Sequence, residues 1–165
     1  ANGWASFTSG SSHFMTITNA ATIQWASGAP RSYIALMQLT ATGSFPVISG
    51  KNANAEELRF SSTSTTPQFV VNGAADFCTS STNVTTGQTT MIAGVQDTGD
   101  IRLYLGDTLV GQDASASAAD NNNDITLGSR TGTTQFISME LLEYLVLPSA
   151  ISASNLTLLK AYWGL

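Results

Sequence analysis

The sequence predicts an all-β fold in which two antiparallel sheets pack face to face and one short helix ends the chain. Three observations indicate this fold. Apolar and polar residues alternate along many short segments, as they do in half-buried strands. Turn-forming residues separate these segments, and β-branched residues are common within them. Helical spacing of apolar residues is convincing at one place, near the C-terminus.

The predicted strands cover most of the chain. The segment 33–39 is nearly all apolar, which is typical of a strand covered on both faces. Along 101–105 the aliphatic residues are expected on one face, and Arg102 and Tyr104 on the other. The full set of predicted strands is 13–18, 33–39, 47–49, 56–61, 68–72, 75–79, 89–96, 101–105, 108–110, 124–128 and 135–147.

Three tight turns are expected between neighbouring strands. Asn-Gly at 72–73 predicts a hairpin, because this dipeptide favours the turns that join twisted strands. Asp-Thr-Gly-Asp at 97–100 predicts another. Gly-Asp at 106–107 has glycine first, as a type II′ turn prefers.

The C-terminal helix has a start signal and a stop signal. Ser152 is a good N-cap residue. Leu156, Leu159 and Trp163 recur at helical spacing, and Gly164 stands where a helix should stop. We expect a short helix that packs its leucines on the sandwich.

Composition limits the class of protein. The 165 residues are expected to form a single domain, 1–165. Charged residues make up 10% of the chain, against about a quarter in an average protein. A surface of short neutral polar side chains is typical of adhesins, lectins and virus particle proteins, so we expect an extracellular or virion-surface location.

Charge and hydropathy exclude two classes of partner. The net charge is −5, and with two lysines and four arginines no basic patch is expected, which argues against nucleic acid. No apolar run approaches the ~20 residues of a membrane helix, so membrane insertion is not expected. Cys78 is the single cysteine, so no intrachain disulfide can form. Its place in the strand 75–79 predicts a buried apolar residue rather than a reactive thiol.

Several short motifs follow one another in a fixed order. The hairpin 101–110 resembles the pattern R-L-Y-x-D-G-x-L-V, with Gly and Asp reversed. The other motifs are Ile-Thr-Leu-Gly at 125–128, an acidic apolar strand at 140–147, Ala-Ile-Ser at 150–152, Ala-Tyr-Trp-Gly-Leu at 161–165, and an opening segment at 5–17. In this order they resemble the concanavalin A-like lectin/glucanase superfamily, in its laminin-G-like, pentraxin-type branch.

The resemblance implies a jelly roll of two antiparallel sheets with a concave face. It implies recognition of a glycan or a protein, often assisted by calcium. Domains of this kind occur in phage tail fibres, in capsid decorations and in bacterial surface proteins.

Catalysis is not expected. The glucanase members of the superfamily place paired acids on one face of a strand, since both must flank one glycosidic bond. Glu140 and Glu143 are three residues apart, which predicts opposite faces. Glu143 fits the family's acid that ties a strand to neighbouring backbone, a structural role. His13 is the single histidine, and no nucleophile elbow or zinc-binding cluster accompanies it.

Two acidic turns and one tryptophan are the candidate binding residues. Asp97 and Asp100 flank one turn, and the run 120–124 offers five oxygen-bearing side chains. A carboxylate-rich and amide-rich loop could hold calcium, and a solvated Asx-rich turn is the alternative. Trp25 is a candidate exposed platform for a sugar, with packing as the alternative. The candidates are Trp25, Asp97, Asp100, Asn121 and Asn122 for a ligand, and Asp120, Asn122 and Asp124 for calcium.

The prediction is a non-enzymatic recognition or attachment domain that binds a glycan. It would be displayed on a virus particle, as a tail fibre or capsid decoration, or on a cell surface. A purely structural decoration protein that contacts other virion proteins is the alternative, and a glycoside hydrolase is a third. A surface protein as partner and assembly into a homo-oligomer both remain open.

Overall fold

Two antiparallel sheets of six strands each form the fold, as the sequence predicts. The structure is a computed structural model, and it describes residues 3–18, 20–26, 28–43, 45–51, 56–62, 64–72, 76–114 and 123–165. Within these ranges no helix is long and apolar enough to span a membrane.

Sheet A contains the long strands of the sandwich. In spatial order they are β1 (Ala5–Phe7), β12 (Ser138–Leu147), β3 (Arg31–Ala41), β8 (Thr89–Asp97), β9 (Asp100–Leu105) and β10 (Thr108–Asp113). The central strand β3 is buried along most of its length, which confirms that it is covered on both faces.

Sheet B is built from shorter strands. In spatial order they are β2 (Met15–Ile17), β11 (Ile125–Leu127), β4 (Val47–Gly50), β5 (Glu57–Phe60), β6 (Pro67–Asn72) and β7 (Asp76–Thr79). Pairing of β6 with β7 confirms the predicted hairpin, although its turn at 73–75 lies outside the described residues. Two 3-10 turns, Ser9–Ser11 and Ala21–Ile23, precede β2 and β3.

The inner faces of the two sheets form the main apolar core. Alternation along each strand sends every second side chain inward. On β9, Ile101 and Leu103 point into this core, while Tyr104 points to the opposite side, as predicted. Further core residues are Met37, Leu39 and Ile92 from sheet A and Ile48, Leu58, Phe60, Phe69 and Ile125 from sheet B.

Helix α1 (Ala153–Tyr162) packs on the outer face of sheet A. Ser152 caps it, since its Oγ accepts a hydrogen bond from the backbone N–H of Asn155 at 3.2 Å. Leu156 is fully buried against the sheet. Gly164 has φ +71°, a conformation that ends helices readily. The predicted helix, its cap and its stop are confirmed.

The two sheets approach each other closely at Gly94. A Cβ atom at this position of β8 would lie 2.6 Å from Cγ of Phe69, across the core on β6. The absence of a side chain at residue 94 therefore lets the Phe69 ring lie directly on sheet A.

We predict that Gly94→Ala lowers the free energy of unfolding by about 1–3 kcal/mol, because a methyl group there overpacks the core. Chemical denaturation of the purified variant would measure this. Gly10→Ala is the matched control, since its Cβ would meet no atom within 4 Å. Equal stability of the two variants would contradict the packing argument.

Candidate functional site

The predicted turn at 97–100 joins β8 to β9, and a single arginine holds both of its aspartates. Arg102 Nη2 lies 3.0 Å from Asp97 Oδ2, and Arg102 Nε lies 2.8 Å from Asp100 Oδ2. Gln112 also donates to Asp100 at 2.9 Å. These two carboxylates are thus brought together, and a cation already neutralises part of their charge.

The predicted calcium run 120–124 is described only in part. Asp120, Asn121 and Asn122 lie outside the described residues. Asp124 is exposed and directly precedes β11. Among the described residues no group of three or more His, Cys, Asp and Glu side chains is placed to hold a metal ion. Calcium at this run therefore stays a prediction.

Trp25 is buried, so of the two interpretations of this residue the structure confirms packing and not an exposed platform. Its side chain is 8% exposed and belongs to the main core. The ring packs against Tyr33, with centroids 6.1 Å apart, and Lys51 Nζ lies 4.3 Å from its centroid. The ring lies over buried charged side chains at one end of the sandwich. Nothing in the sequence near Trp25 indicates that these charges lie beside it.

The charges under Trp25 form a buried ion cluster between the sheets. The guanidinium of Arg31 contacts the carboxylate of Glu56, and both residues are almost fully buried. Tyr33 donates its hydroxyl to Glu56 Oε2 at 2.9 Å. Burial raises the pKa of Glu56 against the opposing effect of Arg31, and burial lowers the pKa of Lys51. This cluster ties the ends of the two sheets together.

A second cluster lies on the outer face of sheet B, away from α1. Because Leu58 and Phe69 point into the core, their strand neighbours point outward. Register places Gly50, Glu57, Val70 and Phe77 in one outward row across the strands. Arg59, Gln68 and Thr79 form the next row.

Two arginines hold one glutamate on this face. Arg59 Nη1 donates to Glu57 Oε2 at 2.9 Å, and Arg130 Nη2 donates to the same oxygen at 3.0 Å. Arg130 Nε donates to the other carboxylate oxygen, Oε1. We call Arg59, Glu57 and Arg130 the arginine–glutamate cluster. The Glu57 side chain is 0% exposed, while Arg59 and Arg130 are 13% and 15% exposed.

The network continues along the sheet. Arg59 Nε donates to Gln68 Oε1 at 3.1 Å, and Gln68 Nε2 donates to Thr79 Oγ1 at 3.0 Å. Polar side chains from three neighbouring strands are therefore fixed by one another in a continuous line. Such a line is pre-organised to present its remaining donors and acceptors to a ligand.

Arg130 reaches the cluster because a loop lies directly on β4. A Cβ atom at Gly50 would lie 2.6 Å from the Arg130 carbonyl oxygen. The loop is closed by a hydrogen bond of 3.1 Å from Arg130 N–H to the Thr134 carbonyl. Glycine at residue 50 thus lets the Arg130 backbone sit on the sheet.

Aromatic side chains lie near this face. The Arg59 guanidinium lies 5.5 Å from the centroid of the Phe45 ring, and Phe77, in the outward row, is 40% exposed. Sequence reasoning missed this site. The alternation of Glu57 and Arg59 was visible, but nothing in the sequence placed Arg130 beside them.

The two acids considered for catalysis are on the same face, so the prediction of opposite faces is wrong. A β-bulge lies between Leu141 and Glu143 in the pairing of β12 with β3. The extra residue shifts the alternation by one, which turns Glu143 to the outer side with Glu140. Ser6 Oγ donates to Glu140 at 2.7 Å, and Trp163 Nε1 donates to Glu143. Each acid thus ties β12 to a neighbouring element.

Comparison with protein-family descriptions finds a match over residues 8–157, to the concanavalin A-like lectin/glucanases superfamily. No curated protein matches the chain. Among solved structures, a putative carbohydrate-binding protein from Bacteroides ovatus is 14% identical, with a TM-score of 0.70 over 93% of this chain. The NanB sialidase from Streptococcus pneumoniae is 13% identical, with a TM-score of 0.71 over 94%.

The binding domain of botulinum neurotoxin DC, solved in complex with SialylT, is a third similar structure. It is 9% identical, with a TM-score of 0.61 over 82% of this chain. This chain spans 45%, 27% and 36% of the lengths of the Bacteroides, NanB and neurotoxin chains. At these identities the likeness shows the jelly-roll fold alone.

We predict that Cys78 reacts with thiol reagents only after unfolding. The residue is 3% exposed, and burial raises the pKa of its thiol to about 12, so thiolate is scarce at neutral pH. Ellman's reagent at pH 8, with and without denaturant, would measure this. A Cys78→Ala/Thr85→Cys variant, whose thiol would be exposed, should react in the folded state. Fast labelling of native wild-type protein would contradict the burial.

Proposed function

The chain belongs to the concanavalin A-like lectin/glucanase superfamily, and from that premise we propose that it is a glycan-binding module without enzymatic activity. Two similar structures support the proposal: a putative carbohydrate-binding protein and a toxin binding domain solved with SialylT. The similar NanB sialidase is an enzyme and supports only the fold. The binding role is carried over from those proteins as a hypothesis for this chain.

The observation that carries the proposal is the hydrogen-bonded line on the outer face of sheet B. Glycans present many hydroxyl groups together with apolar ring faces, so a glycan site combines fixed polar groups with aromatic rings. The line from Arg130 through Glu57, Arg59 and Gln68 supplies the polar groups. Phe77 and Phe45 supply the rings. On sheet A, helix α1 packs on the outer face.

The acidic turns are a second proposed contact. Asp97 and Asp100 lie at the same end of the sandwich as Arg31. Arg31 on β3 is opposite Gln96 on β8 in the strand register, and Gln96 directly precedes this turn. Calcium held by Asp120, Asn122 and Asp124, with Asn121 beside it, is the other part of this proposed contact. This contact would require the metal, whereas binding by the outer face of sheet B would not.

We propose display on a virion or cell surface, in keeping with the low content of charged residues. One observation favours the alternative of a structural decoration protein. Helix α1 exposes Leu158 and Tyr162 at 68% and 78%, although its inner side is packed on sheet A. Exposed apolar side chains of this kind suit contacts with another protein.

Glycan binding should be detectable on an array and should depend on Phe77. Phe77→Ala removes an exposed ring that the core does not use, and we expect about tenfold weaker binding. Leu158→Ala, on the helix side, is the matched control and should bind like the wild type. Parallel arrays with calcium and with EDTA distinguish the two proposed contacts, because only the contact at the acidic turns would need calcium. Absence of binding on both arrays would overturn the proposed function in favour of a structural role.

Hydrolysis of a bound glycan should be absent. In the described strands of sheet B the acidic residues are Glu57 and Asp76, and two arginines hold Glu57. A hydrolase needs two carboxyl groups about 5–10 Å apart around the bond. Reducing-sugar assays with the wild type, Glu140→Gln and Glu143→Gln should all give background rates. Activity in the wild type that either substitution removes would show that the chain is an enzyme.

A further inference from the structure

Positive charge is scarce in this chain, and one third of it lies in the arginine–glutamate cluster. The chain has six lysines and arginines and a net charge of −5. Arg59 and Arg130 lie together on the outer face of sheet B, with Glu57 between them. Two cations and one anion give this cluster a charge of +1, which is opposite in sign to the charge of the whole molecule.

The cluster has donor groups to spare. A guanidinium carries five N–H groups. Arg59 uses Nε for Gln68 and Nη1 for Glu57, and Arg130 uses Nε and Nη2 for Glu57. Arg59 Nη2 and Arg130 Nη1 donate to no described residue, and both side chains are partly exposed. Each arginine therefore offers at least one charged N–H donor that no described residue accepts.

Both guanidinium groups are held in place before a ligand arrives. The buried Glu57 carboxylate fixes one edge of each, Gln68 fixes Arg59 further, and the contact with Gly50 fixes the Arg130 backbone. An ordered arginine loses little conformational entropy on binding, and its planar fork matches planar or tetrahedral oxyanions.

We propose that Arg59 and Arg130 bind the anionic group of an acidic glycan, either the carboxylate of an acidic sugar or a sulfate ester. This inference rests on the proposed function and adds the class of glycan. The Phe45 ring beside Arg59 and the polar pair Gln68 and Thr79 would contact the neutral part of the sugar. Both anions present oxygens that accept charge-assisted hydrogen bonds from the free N–H donors.

Titration calorimetry with matched oligosaccharides tests the class of ligand. The probes are a sialylated glycan, a uronate-containing glycan, a sulfated glycan and the neutral parent of each. We expect at least one acidic probe to bind about tenfold more tightly than its neutral parent, and this preference should weaken as salt increases. The three acidic probes distinguish carboxylate from sulfate.

Substitutions then locate the site. Arg59→Gln and Arg130→Gln should each weaken binding of the acidic probe about tenfold more than they weaken binding of its neutral parent. Lys160→Gln makes the same change of charge on α1 and should have no effect. Arg130→Lys keeps the positive charge but lacks the planar guanidinium, so it should weaken binding of the acidic probe by an intermediate amount. This variant still tests the location of the site if the glutamine variants fold poorly. Circular dichroism of each variant reports on folding.

The outcomes separate this inference from the proposed function. Equal binding of acidic and neutral probes would overturn the inference and leave the glycan-binding function standing. A preference for acidic probes that folded Arg59→Gln and Arg130→Gln proteins retain would overturn the location. Absence of binding to any probe would overturn both.

Discussion

The close approach of the two inner sheet faces is the constraint on which the rest of the structure depends. Gly94 on β8 lets the Phe69 ring lie directly on the opposite sheet, so the interior leaves little room between the layers. Buried charges in this interior need partners of opposite sign, and Arg31 and Glu56 pair with each other beneath Trp25. Function is left to the outer surfaces, and α1 covers one of them. The outer face of sheet B carries the arginine–glutamate cluster, in which Arg59 and Arg130 are partly exposed while Glu57 is buried.

Glu57 shows how a costly residue can organise this surface. Taking a carboxylate out of water carries a desolvation penalty of several kcal/mol, which one arginine offsets only in good geometry. Two arginines from different elements, Arg59 on β5 and Arg130 on a loop, together surround it. The arginine–glutamate cluster adds little to the stability of the fold, but it positions two guanidinium groups effectively. The same arrangement explains why residue 50 is glycine, because a side chain there would displace the Arg130 backbone.

Local sequence patterns were sufficient to predict the strands, turns and helix. Contacts between segments that are distant in the sequence could not be predicted from these patterns. Alternation on β9, the Asn-Gly hairpin and the Ser152 cap each depend on a few neighbouring residues, and the structure confirms them. The bulge in β12 could not be foreseen, because it arises from pairing with β3, and it reversed the predicted side of Glu143. The sequence left Trp25 open between packing and exposure, because its contacts with Arg31 and Lys51 join distant segments. The arginine–glutamate cluster joins residues more than seventy positions apart.

Scarcity of charge makes the position of each cation informative. Arg31 and Lys51 are buried under Trp25, Arg102 is engaged by two aspartates, and Lys160 pairs with Asp107. Arg59 and Arg130 differ from these four, because they combine partial exposure with N–H donors that no described residue accepts. Two arginines are far too few to hold a nucleic acid backbone, so the exclusion drawn from composition stands. On a surface that is otherwise neutral or acidic, however, even a charge of +1 gives an anionic ligand a favourable place to bind. Specificity for that place follows because the other cations are already paired with acidic side chains or buried.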